Sequence, residues 1–88
     1  MKAVVFYERG NVTVEQVMNV YPRHKQLVDI FAKEGKVLAI GTFENQIDGS
    51  MGVFKDKISA EEFIAQDPFV NEGLVGKVTV KGWNEILL

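Results

Sequence analysis

Residues 36–54 read KVLAIGTFENQIDGSMGVF. Residues 36–43 are rich in β-branched and apolar side chains and predict a strand. Asp48-Gly49 is a turn signal, and Gly52-Val53-Phe54 belongs to the strand that returns, so the centre of the chain is a hairpin. Upstream, residues 3–8 are β-branched and aromatic and predict a first strand, which Gly10-Asn11 breaks. Thr13 with Gln16 forms a weak capping box that suits a short helical turn. Pro22 suits the first position of a helix running to about Glu34, and Gly35 is its stop. Downstream, Ser59 with Glu62 forms a stronger capping box, opening a helix to about Gln66. Pro68 bars helical geometry at Asp67. After Gly73, residues 75–87 predict a last strand, in which Val78 and Val80 alternate with Lys77, Thr79 and Lys81. The order is βαββαβ. It predicts one α+β domain over residues 1–88, a ferredoxin-like four-stranded antiparallel sheet with two helices on one face.

Two helices cover one face of such a sheet. The first strand is nevertheless apolar on both: Ala3, Val5 and Tyr7 on one side, Val4 and Phe6 on the other. The second strand repeats this, with Val37 and Ala39 opposite Leu38 and Ile40. An antiparallel sheet with one wet face should alternate. A second copy of the chain is the simplest cover, which predicts a homodimer packed sheet to sheet. A chain of 88 residues buries only about 60–65% of its unfolded surface, so self-association adds needed burial.

Composition narrows the function. Ten basic against twelve acidic side chains give a net charge of −2 with no basic patch, which argues against a nucleic-acid partner. No apolar run approaches the roughly 20 residues that cross a bilayer, and residues 1–8 carry no secretory pattern. A cytoplasmic protein without a membrane partner is expected. There is no cysteine, hence no disulfide and no thiolate nucleophile. One histidine and no ligand spacing predict no metal site.

Two polar residues stand out. On the first helix His24, Leu27, Val28 and Phe31 share one face, and His24 heads that apolar stripe. On the second, Ala60, Phe63, Ile64 and Asp67 have the same spacing, and Asp67 ends the stripe, where a carboxylate is costly unless paired. With the first strand running up, the start of the first helix and the end of the second lie at the same end of the sheet. His24 and Asp67, 43 positions apart, are thereby brought within reach. A carboxylate beside an imidazole fixes its tautomer and suits it to act as a base near neutral pH. A structural reading is open for the same pair, with Asp67 capping the Pro68-Phe69 turn and His24 a partly exposed helix residue. Tyr7 and Tyr21 are candidates to line a substrate cavity, although either can serve as a packing aromatic. Trp83 is read as a core or interface anchor.

The segment Ala65-Gln66-Asp67-Pro68-Phe69-Val70, followed by Gly73-Leu74 and the Val78-x-Val80-Lys81 strand, resembles the YciI-like family of the dimeric α+β barrel superfamily. A second block, His24 to Leu27 with Glu34, Leu38, Ala39 and Gly41, extends the resemblance over nearly the whole chain. The resemblance implies a ferredoxin-like protomer, a dimer whose sheets form a barrel, and a pocket holding His24 and Asp67. The family includes a dehydrochlorinase of a chlorinated hydroxyhydroquinone. Two positions depart from the family pattern. Tyr21 stands where an arginine is common, which removes an anion clamp unless Arg23 or Arg9 replaces it. Gly41-Thr42 stands where Gly-Pro is common, at the pocket rim.

The expected function is cofactor-independent acid–base chemistry of lyase or isomerase type on a small cyclic or aromatic metabolite. His24 would move the proton, Asp67 would orient it, and Tyr7 and Tyr21 would line the cavity. The competing expectation is a non-enzymatic ligand-binding or protein-interaction module. A polar pocket of ligand size, open to solvent, favours an enzyme or a ligand-binding protein, and a cavity filled by side chains favours the interaction module.

Overall fold

Backbone hydrogen bonding in the computed structural model, which describes residues 1–86, gives eight elements. They are β1 (Lys2–Arg9), α1 (Val14–Lys33), β2 (Val37–Thr42), a 3₁₀ turn (Gln46–Asp48), β3 (Ser50–Phe54), α2 (Lys57–Gln66), the single-turn helix α3 (Pro68–Asn71) and β4 (Val75–Trp83). The strands lie in the order β2-β3-β1-β4, and each neighbouring pair is antiparallel. This is the ferredoxin-like α+β arrangement. Residue 87 of the expected last strand lies outside the described residues.

Both helices cover one sheet face. Ala3, Val5 and Tyr7 of β1 and Phe54 of β3 form a buried cluster with Phe31 of α1 and with Ala60 and Phe63 of α2. The Phe63 ring stands edge-on to Phe31 at 5.3 Å and lies 5.2 Å from Phe54. Such pairs add about 0.5–1.5 kcal/mol beyond the area they bury. On the opposite sheet face Val4 pairs with Val53 and Lys81, and Phe6 with Met51 and Thr79.

Three local expectations change. The Thr13–Gln16 capping box is present, but it starts the whole of α1, and Pro22 lies inside that helix. The apolar stripe begins upstream of Pro22, at Val17 and Val20, and runs on through Leu27, Val28 and Phe31. Pro22 removes one bond, to the carbonyl of Met18. Met18 is exposed, so water can serve that carbonyl while the stripe stays packed. The N-cap of α2 is Asp56 rather than Ser59; its side chain accepts from the Ser59 N–H at 2.7 Å, and that bond holds its carboxyl below the usual range. In β2 the register shifts between Val37 and Ala39. A bulge at Leu38 therefore turns Val37 and Ile40 towards the helices together, and the strict alternation expected of this strand is broken.

The 3₁₀ turn is clamped to β1. Gly49 has φ +83, and a Cβ there would sit 1.9 Å from the Tyr7 carbonyl oxygen, so only glycine fits.

Candidate functional site

Asp67 is the residue between two helices. As the residue before Pro68 it is pushed out of helical geometry, to φ −68 and ψ 119. It thereby ends α2 and caps α3, its Oδ1 accepting from the Phe69 N–H at 3.0 Å. Its side chain is fully buried. The same Oδ1 lies 2.9 Å from Nδ1 of His24 on α1. The other oxygen, Oδ2, accepts from the Tyr7 hydroxyl of β1 at 2.8 Å. Three donors from three elements thus offset the desolvation of one carboxylate.

Because Oδ1 acts as an acceptor, Nδ1 carries the proton, and Nε2 is the basic nitrogen of the neutral ring. No buried side-chain polar atom among the described residues lacks a partner, and Nε2 takes none from them. His24 lines a cavity of about 540 Å³. Three rings neighbour the imidazole: Phe69 at 4.4 Å, Phe63 edge-on at 5.9 Å and Tyr21 at 6.1 Å. Val5, Val17, Val28, Ile40 and Phe54 make the cavity walls largely apolar, and Thr42 and Ser50, paired across β2 and β3, add two hydroxyls.

Burial, then the charge of Asp67 and the hydrogen bond to it, push the Tyr7 phenol well above its ordinary value of 10.0. Tyr7 is therefore a neutral donor. Its hydroxyl proton is committed to Asp67, while the residue lines the cavity. Tyr21 is half-exposed at the mouth. Arg23 does not line this cavity; it pairs with Glu72. Lys25, at the cavity edge, pairs with Asp29. Trp83 is partly exposed and pairs in register with Lys2 on the sheet face away from the helices. Among the described residues no three His, Cys, Asp or Glu side chains cluster as a metal site.

Sequence reasoning named Thr42 only as part of the pocket rim, and it did not single out Phe63, Phe69 or Ser50 as site residues. Phe63 and Phe69 carried a signal: one lies on the α2 stripe four residues before Asp67, the other two residues after it. The hydroxyls carried none, since their pairing depends on the register of the hairpin.

The model of the YCII-related domain matches residues 1–84. This chain belongs to the YCII-related family. A similar solved structure is 5-chloro-2-hydroxyhydroquinone dehydrochlorinase (TftG) from Burkholderia phenoliruptrix AC1100, in complex with 2,5-dihydroxybenzoquinone. It is 18% identical with a TM-score of 0.73, and the match covers 96% of this chain and 94% of that one. A hypothetical Arabidopsis thaliana protein, determined in solution, is also 18% identical, with a TM-score of 0.55 over 99% of this chain and 88% of that one. At this identity the likenesses establish the YCII-related fold and nothing further. No curated protein matches the chain. Within this YCII-related domain, the Asp67-Pro68 junction is what joins β1, α1 and α2 at one carboxylate.

Proposed function

We propose that this protein is a cofactor-independent acid–base catalyst, of lyase or isomerase type, acting on a small cyclic or aromatic metabolite in the cytoplasm. The observation that carries the proposal is the Nδ1 contact of His24 with a buried carboxylate beside an apolar cavity of about 540 Å³. Asp67 fixes the tautomer, so Nε2 can take a proton from a ring-bound substrate and return it to a neighbouring position or leaving group. The apolar walls suit a flat ring, and Thr42 and Ser50 suit its hydroxyl or carbonyl substituents. Tyr21 would close the mouth. The structural neighbour's quinone ligand and dehydrochlorinase activity support this substrate class by analogy of fold alone. An open cavity of ligand size favours this reading over a protein-interaction module.

The proposal includes a homodimer packed through the uncovered sheet face. The half formed by β2, β3 and β1 presents Ala39, Met51, Val53, Val4 and Phe6, whereas β4 presents Thr79 and Lys81 and, at its end, Trp83. The apolar half is the surface that a second copy would bury.

The test is catalysis on chlorinated and hydroxylated hydroquinones and on cyclic ketones, followed in D2O by NMR for deuterium uptake and by chloride release. Wild type should turn over or exchange one of these classes. His24→Gln should lower the rate by about 10²-fold or more. Saturable binding without exchange would replace the enzyme with a ligand-binding protein.

A further inference from the structure

A second cavity of about 280 Å³ adjoins the first. The two share Tyr7, Val17, Thr42, Ser50 and Phe69 among their walls. They adjoin along these residues, with His24 lining the larger cavity and the smaller one forming the neighbouring lobe. Arg9 lines the smaller lobe. It follows Tyr7 on β1 across a register shift, and two strand residues span about 6.6 Å. The chain has two arginines, Arg9 and Arg23. Arg23 is tied to Glu72, whereas Arg9 makes no ion pair with the described residues. A guanidinium is a planar fork matched to a carboxylate.

We infer that the smaller lobe is a carboxylate subsite with Arg9 as its anchor. The substrate class is then a cyclic or aromatic acid whose ring lies against His24 and whose carboxylate reaches Arg9. This rests on the acid–base reading for the ring's position and adds the charge of the substrate. Glu8 also borders the lobe. A neighbouring carboxylate lowers the affinity for an anion and raises it for a cation, so Glu8→Gln gives the sign of the charge the lobe accepts.

The probes are 4-hydroxyphenylacetate and its neutral isostere 4-hydroxyphenylacetamide, titrated into the full chain by NMR. The readouts are the His24 ring and the Arg9 Nε–H. In wild type the acid binds about tenfold or more tighter than the amide, the scale of a charge-assisted hydrogen bond, and shifts both residues. Arg9→Gln abolishes that preference and leaves amide binding unchanged, Arg9→Lys retains part of it, and Glu8→Gln strengthens the acid alone. Equal affinity for acid and amide, an equal loss of both in Arg9→Gln, or no binding of either overturns the carboxylate subsite. If both probes shift His24 equally and ignore Arg9, the subsite fails while the acid–base reading stands. If the acid shifts Arg9 and neither probe reaches His24, the ring placement fails with the acid–base reading.

Discussion

At Asp67 one side chain does three jobs: it caps α3 through the Phe69 N–H, orients His24 and receives the Tyr7 hydroxyl. Removing it strands three donors in a fully buried position. Asp67→Ala should therefore cost about 3 kcal/mol or more in denaturant unfolding, each unsatisfied buried donor costing about 1–3 kcal/mol. From sequence alone the cost is open, with little change if Asp67 is functional and more than about 3 kcal/mol if it is a structural helix-end residue, because burial and the partner count cannot be read from helical spacing. A loss below about 1 kcal/mol would mean that water replaces the carboxylate. Tyr7 gives a pH signature. Below its ordinary value of 10.0 both the folded and the unfolded chain keep the phenol proton. Above it the unfolded chain releases the proton while the folded chain retains it, so stability falls as pH rises through that window. Tyr7→Phe should be less stable at neutral pH by about 1–3 kcal/mol, the range for a bond to a charged acceptor, and should show a shallower decline above pH 10. Parallel curves for the two proteins would contradict the Tyr7–Asp67 bond.

Helix α1 carries a proline in its interior, and the element holds because its stripe packs on both sides of the break. Pro22→Ala restores one backbone bond and relieves the ring's clash with the preceding turn. It should raise stability by about 1–3 kcal/mol, and unchanged or lower stability would show that Pro22 is held for another reason. The sequence made β1, the hairpin and the αL stop at Gly35 legible, since each depends on local propensity. It misplaced the start of α1, because Pro22 at a first helical position and Pro22 inside a stripe beginning at Val17 differ only in tertiary packing. It likewise chose Ser59 over Asp56 as a cap; both have capping side chains, but Ser59 is drawn into the core. The bulge at Leu38 leaves no local mark, because it is set by pairing with β3. The meeting of His24 and Asp67 was legible, since strand and helix directions alone decide which ends converge. The Tyr7 hydroxyl was not, since alternation gives a side chain its face but not its partner.

For the whole molecule, the uncovered apolar half of the sheet bears on assembly. Light scattering at micromolar concentration should give twice 9.9 kDa or a multiple of it. Val53 lies on that face, half-buried in the protomer. Val53→Asp should return the mass to that of one chain with the secondary structure retained, since an unpaired carboxylate in a dry interface costs several kcal/mol. A monomeric wild type would remove the sheet-to-sheet dimer and leave the His24 site in place. That site exists because the topology brings a residue of α1 against one 43 positions later. The chain has a single histidine, so the ring nitrogens can be observed directly. A long-range 1H–15N spectrum at alkaline pH should show His24 protonated at Nδ1 with Nε2 bare, and Asp67→Asn should weaken or lose that preference. A wild-type ring protonated at Nε2, or spectra that coincide in the two proteins, would contradict an imidazole held as a base by Asp67.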